Sequence, residues 1–309
     1  MRMMIDPGKE RRSINFVDNI VYSHVKDLEG NPLDLTLSLM VQNGNSEMRL
    51  ASGRDDEVST GKQPLIIWIN GAGWRGCDKN LMAAEMHFLA EAGFAVACIY
   101  YRSSAQGHMP DQLIDCKTAV RFFRANAEKY NIDPNRIGVI GRSAGGHLAA
   151  FMAMNNPGYD TEEWAGFSSN VQASCDMFGP TDIPYCSEIN FELIKNPKFR
   201  WHSMPETHEG ALLGITDEHT REQILELGAE ASPINHITQD MCPLQIMHGD
   251  EDPLVPLEVS ERFYRKLEEH GLDGRTDFYV LKHGGHGTRE FFQESTKKLI
   301  EEFFRKHLT

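Results

Sequence analysis

The chain has 309 residues, 40% hydrophobic and 25% charged, a balance typical of a globular protein with a substantial core. Its 31 basic against 45 acidic residues give a formal net charge of −14, which argues against nucleic acid and against an anionic membrane surface as partners. No stretch of the sequence approaches the ~20 consecutive apolar residues of a membrane span.

The N-terminal stretch from Met1 to Arg12 is polar and charged and lacks the apolar centre of a secretory signal, so we expect a cytoplasmic protein. Secretion is the alternative, since removal of a signal peptide would leave the same sequence. The six cysteines are scattered along the chain without a C-x-x-C pair, which favours reduced, buried thiols that act as small apolar side chains. They are Cys77, Cys98, Cys116, Cys175, Cys186 and Cys242.

An N-terminal β-hairpin is predicted over residues 14–41. Two runs in it, 14–25 and 33–41, alternate apolar and polar residues around a turn that contains glycine and proline. The polar, glycine-rich stretch 42–63 that follows predicts a mobile loop, and its acidic cluster Asp55–Glu57 is interpreted as solvated.

From Pro64 onward, apolar runs with the lengths of strands alternate with amphipathic, helical runs. Strands are predicted at 65–69, 94–100, 136–140, 171–178, 243–248 and 276–281, and helices at 81–92, 111–130, from 145, 257–270 and 289–307. Repeated strand–helix alternation predicts an α/β fold, with a mostly parallel central sheet and helices on both faces. Without a repeat or a linker in the sequence, we expect residues 1–309 to form a single domain.

One connection, from about residue 179 to 242, is far longer than a typical crossover between strands. It contains Phe191, Phe199 and Trp201 and one predicted helix over 220–227. We interpret it as a cap inserted over the carboxyl edge of the sheet, where open α/β sheets bind their ligands.

The motif Gly141–Gly145, with Ser143 at its centre, lies between a predicted buried strand and a small-residue helix. Such a strand-to-helix turn holds the serine hydroxyl clear of the sheet, and glycines are needed because side chains would crowd the bend. The turn also places the backbone N–H of Ala144 at a helix N-terminus, where an oxyanion would form.

A serine hydroxyl becomes a good nucleophile when an imidazole accepts its proton and a carboxylate orients that imidazole. For the imidazole we favour His286, because Gly285 and Gly287 on either side permit a sharp, accessible loop. His283 is assigned to the surface or to a supporting position.

The carboxylate is expected in the loop after the strand 243–248, so that the chain order is Ser, Asp, His. Asp252 is our choice, since Pro253 stiffens the loop beside it. Asp250 is the runner-up, more typical of a turn residue that accepts backbone N–H groups. Glu251 is expected to point to solvent.

The remaining oxyanion donors are expected in the loop after the strand 65–69, which reads Asn70-Gly71-Ala72-Gly73-Trp74. Small residues there allow backbone N–H groups to approach a substrate oxygen. Ala72 and Gly73 are therefore assigned as donors together with Ala144.

These motifs together resemble the α/β-hydrolase superfamily over the span from Pro64 to about Leu308. The chain is most similar to hormone-sensitive-lipase-like carboxylesterases and to the bifunctional feruloyl/acetyl-xylan esterases. Those families carry His-Gly-Gly-Gly-Trp where this chain has residues 70–74, a Tyr-Arg pair like Tyr101-Arg102, and an acid loop like residues 248–256. This chain departs from the pattern at Asn70, in place of histidine, and at Ala72, in place of glycine.

The resemblance implies a serine ester hydrolase that works through an acyl-enzyme without a cofactor, and acetyl or feruloyl groups on sugars as substrates. The aromatic residues in the long connection favour short acyl groups. Amide hydrolases of the same fold, such as a peptidase acting after proline or an arylformamidase, and a catalytically inactive binding module remain the alternatives.

A bound metal is not expected, because the histidines and acids of the long connection match no helical metal-binding pair. Those residues are His202, Glu206, His208, Glu209 and His219. No phosphate-binding glycine loop is present in the sequence. Apolar residues of the N-terminal hairpin could form a contact between two copies of the chain or pack on the sheet edge, so the oligomeric state stays open.

Overall fold

The computed structural model describes residues 2–5, 13–42, 61–76 and 78–309. The predicted loop 42–63, apart from its ends, and Cys77 lie outside the described residues. The predicted hairpin, sheet and helices can be compared with the structure over the rest of the chain.

Among the described residues, eight strands form one sheet in the order β1-β2-β4-β3-β5-β6-β7-β8. Strands β1 and β2 pair as an antiparallel hairpin, β2 runs antiparallel to β4, and all the pairs from β4 to β8 are parallel. The strands are β1 (Ile14–Lys26), β2 (Pro32–Gln42), β3 (Gln63–Ile69), β4 (Ala95–Ile99), β5 (Ile132–Arg142), β6 (Ala173–Met177), β7 (Leu244–Gly249) and β8 (Thr276–Leu281).

Helices cover both faces of this sheet, as the sequence predicts. The α-helices are α1 (His87–Glu91), α2 (Asp111–Ala125), α3 (Ala127–Tyr130), α4 (Ala144–Ala153), α5 (Ile183–Leu193), α6 (His208–Leu213), α7 (Arg221–Glu230), α8 (Leu257–Glu269) and α9 (Glu294–Leu308). Short 3-10 turns lie at Ala83–Met86, Pro157–Tyr159, Met204–Glu206, Pro233–Asn235, Asp273–Arg275 and Arg289–Phe292.

The alternation of side chains along a strand divides the core into two layers. In β3, Leu65 and Ile67 pack with residues of α2, α4 and α8 on one face of the sheet. Ile66 and Trp68 pack with residues of α1 and α9 on the other face. Because both faces are covered, every residue of β3 is buried, and this explains why the strand is an almost continuous apolar run.

Three predicted helices differ from the structure at their ends. The first begins as the 3-10 turn Ala83–Met86, because Met82 adopts a left-handed conformation (φ 63°) and the Asp78 carboxylate accepts a turn hydrogen bond from Asn80. The helix predicted over 111–130 is divided at Asn126, whose side chain donates to the Phe122 carbonyl. The C-terminal helix begins at Glu294 after the turn Arg289–Phe292.

The segment 179–242, which we call the cap segment, contains α5, α6 and α7. Sequence analysis predicted only the last of these, and α7 begins beside Thr220 in a capping box with Gln223. Helices α5 and α7 pack on each other. In the described part of the chain, we find no helix with the length and hydrophobicity needed to span a bilayer.

Candidate active site

Ser143 occupies the single residue between β5 and α4, in a sharp turn with φ 52° and ψ −123°. The turn leaves no room for side chains on its two glycines. A Cβ atom on Gly141 would lie 2.1 Å from the carbonyl oxygen of Gly145, and one on Gly145 would lie 1.9 Å from that of Ile69. The strand-to-helix turn expected from the sequence is therefore present, and it projects the serine hydroxyl from the carboxyl end of β5.

Ser143, His286 and Asp252 lie in hydrogen-bond contact although they are far apart in the sequence. The His286 Nε2 atom is 2.8 Å from Ser143 Oγ, and its Nδ1 atom is 2.7 Å from Asp252 Oδ2. With the proton on Nδ1 donated to the carboxylate, Nε2 is free to accept the serine proton. The ring of Phe178 contacts the imidazole edge-on, with centroids 4.8 Å apart, and restricts its rotation.

The side chain of Asp252 is completely buried, and several hydrogen-bond donors surround its oxygens. Its Oδ1 atom accepts from the backbone N–H groups of Leu254 (2.8 Å) and Val255 (3.0 Å), and His248 Nε2 lies 3.4 Å from its Oδ2 atom. Burial opposes ionisation of this carboxyl, but hydrogen bonds from His248 and His286 outweigh burial and hold its pKa well below the ordinary range. Asp252 is therefore a carboxylate at neutral pH.

The two other acidic residues of this loop do not reach Ser143. The Asp250 carboxylate accepts from the backbone N–H of His283 (2.6 Å), which is the turn role expected for it. Glu251 pairs with the His283 ring at 2.8 Å, and both side chains are about two-thirds exposed, 63% and 67%. His283 is accordingly a surface residue.

The loop after β3, residues 70–76, contacts the turn at Ser143. A Cβ atom on Gly71 would lie 2.3 Å from the Arg142 carbonyl oxygen and 2.8 Å from Ser143 Cβ, so only glycine permits this approach. The backbone N–H groups of Ala72, Gly73 and Ala144 donate to no other residue in the described part of the chain. Ala72, Gly73 and Ala144 line one cavity with Ser143.

Asn70, where the related families carry histidine, is buried and forms hydrogen bonds with three other residues. Its side-chain oxygen accepts from Arg142 Nε (2.9 Å), its side-chain nitrogen donates to the Asp78 carbonyl (3.0 Å), and its own carbonyl accepts from the Tyr101 hydroxyl (2.8 Å). The loop after β3 is thus fixed to the residue that precedes Ser143. Sequence reasoning missed Arg142, because it fills a variable position of the motif.

A cavity of about 380 Å³ opens beside Ser143 and His286. Its walls come from the loop after β3, the turn at Ser143, the acid loop and the cap segment. The residues contributed by the cap segment are Pro180, Cys186, Ile189, Asn190, Leu193, Phe199, Arg200, Trp201, His208 and Glu209. Sequence reasoning expected aromatic residues here but not the polar group formed by Asn190, Arg200, His208 and Glu209.

His208, considered above only as a metal candidate, packs on the loop after β3. A Cβ atom on Gly73 would lie 2.2 Å from its Nδ1 atom, while its Nε2 atom accepts from Arg200 (3.0 Å). Burial and the nearby guanidinium groups lower the pKa of His208 to about 4, so it is neutral at pH 7. In the described ranges, no group of three or more histidine, cysteine or acidic side chains is arranged to hold a metal ion.

A second contact joins the cap segment to the loop after β3. The Arg75 guanidinium donates to the carbonyls of Glu206 and Thr207, the latter at 2.7 Å. Together with His208 on Gly73, this contact couples the position of the cap segment to that of the candidate oxyanion donors.

The sheet order, the strand-to-helix turn at Ser143 and the residues around it define the α/β-hydrolase fold. The model of the BD-FAE family matches residues 55–267, a range that includes Ser143 and Asp252 and ends before His286. The chain belongs to the BD-FAE family.

The chain is also similar to individual proteins that are named as ester hydrolases. The probable carboxylic ester hydrolase LipM of Mycobacterium tuberculosis is 28% identical over 223 residues, which are 70% of this chain and 47% of LipM. The esterase LipC of the same organism is 27% identical over 241 residues, 76% of this chain and 55% of LipC. The chain thus spans about half the length of these relatives.

Among solved structures, a truncated form of a carbohydrate esterase from gut microbiota superposes with a TM-score of 0.75. It is 28% identical, and the match covers 97% of this chain and 98% of that chain. The expected fold class, an α/β-hydrolase fold with a mostly parallel sheet, is confirmed.

Proposed function

We propose that this protein is a serine ester hydrolase that acts on small-molecule carboxylic esters through an acyl-enzyme. The observation that carries the proposal is the hydrogen-bonded series from Ser143 Oγ through both nitrogens of His286 to Asp252. The names of the relatives, a carboxylic ester hydrolase and an esterase, support the same reaction class. The amide-hydrolase alternative has no comparable support, and the intact series of side chains speaks against an inactive binding module.

In the proposed reaction, Ser143 Oγ attacks the ester carbonyl carbon while His286 Nε2 takes the serine proton. Asp252 holds the imidazole in its tautomer and stabilises the imidazolium. The carbonyl oxygen becomes an oxyanion that accepts hydrogen bonds from the N–H groups of Ala72, Gly73 and Ala144. The carbon–oxygen bond to the alcohol then breaks, and His286 returns the proton to the leaving oxygen.

Water completes the cycle by the same steps. His286 takes a proton from the water, the hydroxide oxygen attacks the acyl carbon, and Ser143 Oγ leaves with the proton. The products are a carboxylic acid and free Ser143. No step requires a cofactor.

The cavity supports short-chain or small aryl acyl groups, since about 380 Å³ accommodates only a small ligand beside Ser143. We propose acetyl or feruloyl esters of carbohydrates as natural substrates. The support is the resemblance to feruloyl/acetyl-xylan esterases and the similarity to a structure described as a carbohydrate esterase. We further propose that the cap segment, residues 179–242, belongs to one domain with the sheet, because its residues form a wall of the cavity.

Two further proposals concern the cellular location of the protein and its self-association. We propose a cytoplasmic location, and the support is that the five described cysteines are buried thiols that act as small apolar side chains of the core. Self-association through the edge strand β1 is supported by Phe16 and Val21, which remain 52% and 38% exposed.

The central test is hydrolysis of p-nitrophenyl acetate by the wild type, by Ser143→Ala and by Ser168→Ala, a control on the surface. We expect Ser143→Ala to lose at least about 1000-fold in kcat/KM, and Ser168→Ala to match the wild type. A fluorophosphonate probe should label the wild type but not Ser143→Ala. Full activity of a folded Ser143→Ala would overturn the proposal. Faster cleavage of a matched anilide would favour the amide-hydrolase alternative.

A further inference from the structure

The cap wall of the cavity contains a carboxyl group that the proposed reaction does not use. Glu209, at the start of α6, lines the cavity together with Ser143 and His286. Its Oε2 atom accepts from Asn190 Nδ2 at 2.7 Å, and Asn190 lies on α5 in the same wall. The rest of the cap wall is largely apolar, with Ile189, Leu193 and Phe199 among its residues.

A carboxyl group in such a wall carries a desolvation cost that its partners only partly offset. Burial raises the pKa of Glu209 above the ordinary value of a glutamate, while its own backbone N–H, Asn190 and the more distant Arg200 and Arg75 act in the opposite direction. A carboxyl group offers about four lone-pair positions, and these partners do not use all of them. Capacity to bind another donor is therefore present at the cavity wall.

The charged groups near Glu209 indicate which kind of substrate group would bind there. The Arg200 guanidinium, which reaches into the same wall to donate to His208, would repel a substrate cation, and the carboxylate form of Glu209 would repel an anion. A neutral hydroxyl group suits the pair best, since it donates to the carboxyl oxygen and accepts from an amide N–H.

We propose that Glu209 and Asn190 form a polar subsite that binds a neutral hydroxyl group of the ester substrate, so that Glu209 determines specificity. This inference rests on the proposed ester hydrolase function. A site built to bind a hydroxyl group discriminates against the analogue that lacks it, because its polar groups are then left unpaired.

The test compares matched ester pairs that differ by hydroxyl groups. One pair varies the alcohol, glyceryl 1-acetate against propyl acetate, and the other varies the acyl group, ethyl 3-hydroxybutyrate against ethyl butyrate. For the wild type we expect kcat/KM at least about 10-fold higher for the hydroxylated member of one pair. The ratio within each pair is the readout, because a purely structural role of Glu209 would change both members alike.

Three variants test whether the Glu209 side chain causes the preference for the hydroxylated ester. Glu209→Met removes the acceptor at similar size and should bring the ratio of kcat/KM within the pair close to 1. Glu209→Gln keeps an acceptor and should retain most of the wild-type preference for the hydroxylated member. Glu226→Met makes the same substitution on an exposed position of α7 outside the cavity wall and should leave the ratio unchanged.

The outcomes also distinguish this inference from the proposed function. If the wild type hydrolyses both members of each pair equally, or if Glu209→Met keeps the wild-type ratio in both pairs, the subsite is wrong while the ester hydrolase stands. If no ester, including p-nitrophenyl acetate, is hydrolysed by the wild type, the proposed function itself fails.

Discussion

At the scale of single residues, His248 is placed to orient Asp252. Its Nε2–H donates to the Val255 carbonyl (2.9 Å) and lies 3.4 Å from Asp252 Oδ2, while its Nδ1 atom accepts from the Ser260 hydroxyl (2.7 Å). The ring is completely buried, so both of its nitrogen partners are fixed. His248 therefore contacts the acid loop at two points, the Val255 carbonyl and the same Asp252 oxygen that faces His286.

We expect His248→Leu to lower kcat by about 10- to 100-fold with little change in KM, because a small displacement of Asp252 misaligns His286. His248→Gln restores a donor near the Nε2 position and should recover part of the loss. Steady-state kinetics with p-nitrophenyl acetate provide the measurement, and urea unfolding verifies that both variants are folded. An unchanged kcat in His248→Leu would show that the contact with Asp252 has no role in catalysis.

Asp176, on β6, gives a pH dependence of stability. Its Oδ1 atom accepts from the Gly179 N–H (2.8 Å), and its Oδ2 atom has no hydrogen-bond partner within the described ranges. Burial raises its pKa to about 6, above the value near 3.8 that it has when exposed. The folded protein therefore binds a proton here more tightly than the unfolded chain does.

The raised pKa of Asp176 determines the direction in which stability changes with pH. This group's contribution to stability is complete below about pH 4 and is lost as the pH rises through 6, by an amount on the order of 3 kcal/mol. Asp176→Asn lacks this contribution. Relative to the wild type, its free energy of unfolding should therefore increase by up to about 3 kcal/mol between pH 4 and pH 7.5. Urea denaturation at both pH values measures the difference, and parallel pH profiles would contradict it.

At the scale of elements, the sequence predicts the strands well because their side-chain patterns are local. Leu65 to Ile69 and the run at 276–281 are apolar or alternating enough to identify on their own, and both are strands in the structure. Within the cap segment, the sequence analysis predicted only α7, which begins at the capping box of Thr220. It missed the N-cap Asp182 of α5 and the caps Thr207 and Gly214 of α6. How α5 and α6 pack against α7 depends on contacts between helices, which the local sequence does not give.

The contact between the loop after β3 and the cap segment is also an interaction of elements. We expect Arg75→Met to lower kcat/KM by about 3- to 10-fold, because Ala72 and Gly73 lose the contact that restricts them. The backbone N–H of residue 75 donates to the Ala72 carbonyl (3.1 Å), and its hydrogen exchange should become faster in the variant.

The matched control for this prediction is Arg221→Met. Arg221 is another exposed arginine, but it pairs with Glu188 inside the cap segment and does not reach the loop after β3. Its variant should keep the wild-type kinetics and exchange rates. Equal behaviour of the two variants would mean that the Arg75 contact does not restrain Ala72 and Gly73.

At the scale of the whole molecule, the site is assembled from strand ends that the sheet order brings side by side. Ser143 follows β5, Asp252 follows β7 and His286 follows β8, while the loop with Ala72 and Gly73 follows the neighbouring β3. The sequence identifies these residues because each follows a recognisable strand and carries glycine or proline beside it. It does not identify Asn190 or Glu209, because their meeting depends on how two cap helices pack.

The backbone at Ser143 has one more effect on the protein as a whole. A non-glycine residue at φ 52° and ψ −123° carries conformational strain of about 1–3 kcal/mol, and here the strain lies on the proposed nucleophile. Ser143→Gly should therefore unfold with a free energy at least equal to that of Ser143→Ala, although glycine normally weakens a fold by about 1 kcal/mol. Urea titrations of the two inactive proteins would measure this, and a clear deficit for glycine would argue against strain at that bend. If the expected order holds, the Ser143→Gly variant should tolerate destabilising changes elsewhere in the chain that the wild type cannot.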